Sequence, residues 1–167
     1  MAPIRPIRVP RNHFICREVN YNWRGALQYG YTVQQMSDDL LRIPGLEIPE
    51  DVNTTLDKWR AMAKDRFQDY GFVIVDETGS KPLIACWATV DFIARGFGDL
   101  GYFTQTNSRR RGLGIIITAA ALEYGFANGL SQVNWTCDAD NQGSLRTAQK
   151  LGLERIEDYM MYVLILD

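Results

Sequence analysis

Residues 109–114 of this 167-residue chain read Arg-Arg-Arg-Gly-Leu-Gly. The two glycines let backbone N–H groups crowd toward a ligand with no Cβ in the way. The apolar run that follows reads as a helix, and the first N–H groups of a helix are unpaired and partly positive. Three arginines add full charges. The sum is an anion site, and a pyrophosphate fits it. A nucleotide P-loop needs Gly-Lys-Ser/Thr, which is absent here. A dinucleotide-binding turn needs a third glycine three residues after Gly114, where Ile117 stands. Taken alone, the run also fits a basic loop that only meets solvent.

Other reactive groups are spread thinly. Asp99 precedes a strand-like segment, and Asp138 and Asp140 follow another. Each is placed to take a proton from a nucleophile, directly or through water. Each also fits a solvated loop acid, and Asp138 and Asp140 fit the binding of a cationic substrate. Cys16, Cys86, Cys137 and the single histidine, His13, have no zinc-ligand spacing, so no metal is expected. The thiols read as buried and free, in a reducing compartment. Cys137 as a covalent nucleophile conflicts with its alternating strand position, which favours packing.

These groups need elements to position them. His13–Val19 is a candidate first strand, and the proline-spaced start, residues 1–10, an extended arm. Thr32 suits the N-cap of a helix through Val33–Arg42, ended by Pro44-Gly45. Leu46–Asp51 reads as a loop. Thr54 or Thr55 starts a second helix to about Tyr70, with Leu56, Trp59, Met62, Ala63 and Phe67 on one stripe. Phe72–Val75, Leu83–Phe92 and Asp99–Thr106 then read as an antiparallel meander. Gly112–Asn128 is a helix with Ile115, Ala119, Leu122 and Phe126 on one face and Gly129 as its C-terminal cap. Gln132–Cys137 alternates as a strand, Asn141–Leu151 is a helix stopped by Gly152, and Tyr159–Leu166 is a terminal strand. The fold class is α/β (α+β), a mixed and mostly antiparallel central sheet flanked by helices, with one crossover.

With both blocks in view, the sequence resembles the Gcn5-related N-acetyltransferases. Arg109-Arg-Arg-Gly-Leu-Gly114 looks like that family's acetyl-CoA signature, Arg/Gln-x-x-Gly-x-Gly/Ala. Asn141-Gln-Gly-Ser144 followed by Lys150-Leu-Gly-Leu153 looks like the Asn-x-x-Ser/Ala…Lys-x-Gly-Phe pattern of its last helix. One helix and one strand separate the blocks, as in the family. The run Trp135–Gly152 further resembles a bacterial subgroup that includes zwittermicin-resistance-type acetyltransferases. The resemblance implies a single domain over 1–167, with 71–167 as the acetyl-CoA-binding core and 1–70 shaping the acceptor side. It implies that backbone groups of Phe103 and Thr104 pair with the pantetheine arm. It implies that the backbone of Arg109, Arg110, Arg111, Gly112, Leu113 and Gly114 holds the pyrophosphate. Asn141 would reach the pantetheine, besides capping its own helix, and Ser144 would lie near the thioester.

The implied reaction is direct attack of a primary amine on the thioester of acetyl-CoA. An alkylammonium titrates near ~10.4, so a proton must leave first; Asp99 is the first candidate base. The CoA thiol resembles cysteine, at about 8.5, and leaves as thiolate with little help. Many relatives protonate it with a tyrosine seven residues after the matched asparagine. Here that position is Ala148. Ser144, Tyr159 or a water is left for the role.

The formal net charge of -2 and pI of about 5.4 argue against a general nucleic-acid binder. No apolar run reaches the ~18 residues of a membrane span. The start lacks the apolar core of a secretion signal, so a cytoplasmic protein is expected, and the subgroup resemblance implies a bacterial one. The expected partner is a small-molecule amine, with a protein or peptide amine as the alternative acceptor. A non-catalytic acyl-CoA-binding module is the alternative to an enzyme, and a homodimer is left open. Tyr21, Trp23, Tyr29, Tyr31 and Trp59 fit either an acceptor pocket or core. Glu47, Glu50 and Asp51 fit either attraction of a polyamine-like cation or solvated surface.

Overall fold

The computed structural model describes residues 6–61 and 69–164. In chain order the elements are β1 (Ile7–Cys16), α1 (Trp23–Ala26), β2 (Tyr31–Gln35), α2 (Glu50–Ala61), β3 (Tyr70–Asp76), β4 (Leu83–Ala94), β5 (Phe97–Thr104), α3 (Leu113–Ala127), β6 (Gln132–Asp138), α4 (Gln142–Lys150) and β7 (Glu154–Val163). Short 3₁₀ turns lie at Asp38–Arg42 and Thr106–Ser108. All seven strands join one sheet in the order β2-β3-β4-β5-β6-β1-β7. Every pairing is antiparallel except β5–β6. The expected mixed, mostly antiparallel sheet flanked by helices is the observed fold.

The meander forms because β3 and β4 are runs of buried aliphatic residues. Arg95 and Gly96, both at positive φ (52° and 82°), make the two-residue turn into β5. Side chains alternate between the two faces of the sheet. Ile74, Cys86, Ala88, Val90, Leu100, Val133 and Trp135 meet α3 on one face. Val73, Val75 and Trp87 meet Leu56 and Val52 of α2 on the other. α3 is buried on nearly all sides, Ile116, Ile117, Ala120 and Ala121 included. The single apolar face expected from Ile115, Ala119, Leu122 and Phe126 is too narrow, because α1 covers its outer side. Trp23 Nε1 and Arg24 donate to Glu123 of α3 at 2.7–3.0 Å.

Four elements differ from the sequence expectation. The first strand starts at Ile7 and includes Pro10. It is tolerated there because Pro10 turns its carbonyl to Ala139 N (2.9 Å), just past the last residue of β6 paired with β1. The missing N–H therefore costs no bond to β7. Val33–Gln35 are strand rather than helix, and Thr32 lies in the same strand, β2, instead of capping a helix. Tyr31, Thr32 and Val33 favour extended backbone, and β3 supplies a pairing edge. Only Asp38–Arg42 coils, with Ser37 as cap. α2 starts at Glu50, before Thr54. Pro49 precedes it, and two acids in its first turn suit the helix dipole. Of its expected stripe, Met62, Ala63 and Phe67 lie outside the described residues. β7 starts at Glu154 rather than Tyr159, because β1 extends far enough to pair it; Ile165 and Leu166 lie outside the described residues.

The insertion of β1 between β6 and β7 shapes the centre of the sheet. It holds β6 on its far side, while β5 and β6 pair only from Phe97↔Gln132 to Asp99↔Asn134. Beyond that point β5 and β6 diverge. The sheet opens into a V between Leu100–Thr104 and Trp135–Asp138, with α3 and α4 at its mouth.

Candidate functional site

At the mouth of the V lies a cavity of about 640 Å³. Its walls come from two places. Thr104, Ser108, Arg109, Arg110, Gly112, Leu113 and Gly114 come from the end of β5 and the start of α3. Gly143, Arg146, Thr147 and Lys150 come from α4. The α4 residues fall at i, i+3, i+4 and i+7, which is one helical face. Four cations therefore converge on the N-terminus of α3: two from the arginine run and two from α4. The motif at 109–114 points to the first two, and to Arg111 as well. Lys150 falls in the second sequence block, and Arg146 is signalled only by its helical spacing from Gly143, Thr147 and Lys150.

The loop has the backbone of an anion cradle. Gly112 is the N-cap of α3 at φ 78°, with no side-chain cap, so the first N–H groups of α3 stay open to a ligand. Arg110 is also left-handed, at φ 64°. Gly114 has a separate reason to be glycine: a Cβ there would stand 2.6 Å from the Tyr102 ring.

Tyr102 belongs to neither sequence block. Its ring meets Trp135 edge-on across the V, with centroids 5.5 Å apart. Its hydroxyl lies 3.2 Å from Thr147 Oγ1. Thr147 spends its own proton on Gly143 O (3.0 Å), so Tyr102 is the donor. One residue thus ties β5, β6 and α4 together beneath the cavity.

The other residues that the sequence points to divide between the V and its surroundings. Gln105 N–H bonds Ala85 O toward β4. By strand alternation, Thr104, Tyr102 and Leu100 turn their backbone polar groups into the V, and Phe103 turns its own toward β4. The Phe103 ring stacks on Trp87 (4.8 Å) on the α2 face, with the Arg109 guanidinium 5.7 Å above it. Asn141 caps α4, its Oδ1 accepting from Ser144 N at 3.1 Å. Ser144 is buried in the first turn of that helix. Asp99 is exposed and stands at the vertex, the last residue of β5 paired with β6. Tyr159 is on β7, opposite Arg11 of β1. Two strands separate it from β5, about 14 Å at ordinary strand spacing. Arg111 does not line the cavity; its guanidinium reaches Tyr31 instead. The structure brings together Thr104, Arg109, Arg110, Gly112, Leu113 and Gly114; Asp99, Ser144 and Tyr159 lie apart from one another.

All three cysteines are free and buried. Burial pushes the Cys86 thiol up to about 12 and the Cys137 thiol upward, so neither is a ready thiolate near neutral pH. Among the described residues, no group of three or more His, Cys, Asp and Glu side chains could hold a metal ion. No described helix is long and apolar enough to cross a membrane.

The α4 cations carry a prediction of their own. Arg146→Ala with Lys150→Ala should weaken about tenfold the binding of the CoA that the sequence resemblance implies, and flatten its dependence on ionic strength, since surface charges are screened by salt. Calorimetric titration at low and high salt checks it. Unchanged affinity with an unchanged salt slope excludes this face of α4 from the anion site.

Residues 26–154 match the Acetyltransferase (GNAT) domain family. No curated protein matches the sequence. Among solved structures, the fold is similar to a GCN5-related N-acetyltransferase-like protein from Streptococcus suis, with TM-score 0.68, 16% identity and coverage of 96% of this chain and 63% of that one. It is similar to a tandem GNAT protein from the clavulanic acid biosynthesis pathway, with TM-score 0.65, 14% identity and coverage of 96% and 55%. It also resembles a ribosomal-protein-S5-alanine acetyltransferase from Vibrio fischeri, with TM-score 0.58, 18% identity and coverage of 75% and 80%. The chain spans less than two-thirds of the length of the first two.

Proposed function

The chain belongs to the GNAT acetyltransferase family, and from that premise we propose that it transfers an acetyl group from acetyl-CoA to a primary amine of a small molecule. The observation that carries the proposal is the four-cation cavity between the N-terminus of α3, the end of β5 and α4. Arg109, Arg110, Arg146 and Lys150 supply the charge for the CoA phosphates. The first N–H groups of α3 supply directional hydrogen bonds. Tyr102 and Leu100 offer backbone edges along the V for the two amides of the pantetheine arm, while the Thr104 carbonyl accepts from Arg109 Nε at 3.2 Å and ties that arginine to the end of β5. Asp99, at the vertex, stands where an arm entering from the open end would finish. It takes the ammonium proton there, and the amine then attacks the thioester carbonyl. Low thiol basicity lets the CoA sulfur leave as thiolate. The resemblance of Trp135–Gly152 to the zwittermicin-resistance subgroup favours a bacterial, cytoplasmic enzyme with a small acceptor, and three buried free thiols suit a reducing compartment.

A second reading is an acyl-CoA-binding module without turnover. It is favoured by Ala148, fully buried where many relatives carry the tyrosine that protonates the thiolate. Two measurements divide the readings. CoA or acetyl-CoA at ~100 times its dissociation constant should add about 2.7 kcal/mol of stability in a thermal-shift assay, with ATP giving less. No response to either CoA species sinks the proposal. Release of free thiol from acetyl-CoA across a panel of small amines then marks an enzyme, and tight binding without release marks the module.

A further inference from the structure

The third side chain of the arginine run avoids the cavity and is engaged elsewhere. Arg111 Nη1 donates to Tyr31 Oη at 2.6 Å and lies 3.5 Å from Asp76 Oδ2. Tyr31 and Asp76 are direct cross-strand partners, at the start of β2 and the end of β3. Asp76 is not an incidental surface acid. Its side chain is 9% exposed, and its Oδ1 accepts from both Thr78 N (2.9 Å) and Thr78 Oγ1 (2.6 Å). That leaves Oδ2 for the guanidinium. Burial pushes the Asp76 carboxyl upward, but the Thr78 bonds, Tyr31 and Arg111 outweigh it and hold the carboxyl below its ordinary value. The group is ionised at neutral pH.

The flanks of Arg111 explain what such a tie does. Arg110 and Gly112 are both left-handed, at φ 64° and 78°. Arg110 adopts that conformation at a cost a glycine would not meet. Its backbone, with that of Gly112, sets where the first N–H groups of the loop point. Gly112 has no side chain with which to fix the turn. The side chain between the two left-handed residues does so, by reaching back to a buried carboxylate on the sheet.

We propose that Asp76 and Tyr31 are positioning residues for the phosphate site, holding the 109–112 loop through Arg111 in the form that aims its N–H groups at the CoA pyrophosphate. This rests on the acetyl-CoA reading above. It assigns a role outside both sequence blocks, to the edge strand β2 and its neighbour β3, more than thirty residues upstream of the loop. It also divides the arginine run: Arg109 and Arg110 face the anion, and Arg111 is neutralised by the sheet and shapes the cradle.

The test is a double-mutant cycle on CoA affinity, read by calorimetry on the full chain. Asp76→Asn keeps the shape and removes the charge; Arg111→Met removes the guanidinium. Each should weaken CoA binding about tenfold. The double variant should also be weaker than wild type by about tenfold, not a hundredfold, because both changes break one tie. Additive losses mean that Asp76 acts on the fold alone, and they overturn the proposal, as does wild-type affinity in either single variant. Tyr31→Phe deletes only a hydroxyl and serves where Asp76→Asn does not fold. It should weaken CoA binding several-fold in the wild-type background and have no effect in Arg111→Met; an equal loss in both backgrounds overturns the proposal. If the folded wild-type protein binds no CoA, the acetyl-CoA reading itself fails, and this inference with it.

Discussion

Gly112→Glu is expected to abolish CoA binding while leaving the protein folded. The two halves of that expectation have separate causes. A Cβ at Gly112 would meet no heavy atom within 4 Å, so the side chain itself has room. The positive φ of 78° costs a non-glycine residue roughly 1–2 kcal/mol. A carboxylate beside the open N–H groups of α3 returns about 0.3–1 kcal/mol by meeting the helix dipole. The fold therefore changes little. The ligand suffers far more, because the new carboxylate competes for the same N–H groups and cations as the pyrophosphate. A like-charge pair at 4 Å is worth about 4 kcal/mol near a protein surface, so losses above a hundredfold follow even after screening. Gly112→Ala is the control. It carries the same strain without the charge and should lose less than tenfold. A folded Glu variant with wild-type CoA affinity would refute the assignment of phosphates to this loop.

That variant can be designed from sequence alone; its rationale cannot. The glycine and arginine spacing of 109–114 suits an anion site, and the Asn141–Leu153 block, through its resemblance to the GNAT family, implies that the anion is a CoA. Both blocks fall on local structure: a strand end, a helix start and a helix cap. Such features depend on residues close in sequence, so sequence carries them. The failures are long-range. The pattern over Val33–Arg42 suits a helix capped by Thr32, but β3 offers a pairing edge and Thr32 and Val33 accept it. The proline-spaced start enters the sheet between β6 and the edge strand β7 because Pro10 turns its missing donor away from β7. No local pattern encodes either partner. The same holds in the site. Arg146 and Lys150 belong to it only because α4 lies across the mouth of the V. Tyr102 belongs because Gly114 leaves room for its ring. Arg111 departs from its neighbours because a carboxylate 35 residues away waits for it.

At the far end of α3, Gly125→Val is expected to cost about 2–5 kcal/mol of stability, and the reason reaches back to the phosphate site. Gly125 is buried against the end of Tyr70, whose hydroxyl donates to Ala121 O at 2.8 Å. A Cβ at position 125 would collide with that hydroxyl and with Leu130 Cδ1. Tyr70 has nowhere simple to go, since its ring is packed on Tyr124 at 4.8 Å and Phe72 at 6.3 Å. Overpacking of this kind costs about 1–3 kcal/mol, and stranding a buried phenol costs about 1–3 kcal/mol more. The gain in helix propensity over glycine returns less than ~1 kcal/mol. For a domain of this size the result is a fall in Tm of about 10 °C. Gly125→Ala meets the same contacts with a smaller group and should fall part of the way. Adding Tyr70→Phe to it should recover stability, because the colliding oxygen is gone; in the wild-type background Tyr70→Phe should only destabilise. Melting curves of the wild type and the four variants decide this, and Gly125→Ala as stable as wild type would show that α3 does not rest on Tyr70. The contact lets α3 lie flat on β3 and β4. A helix lifted at Gly125 would swing its N-terminus away from Thr104 and from α4, so CoA affinity should fall along with Tm in the valine variant while the loop residues themselves remain untouched.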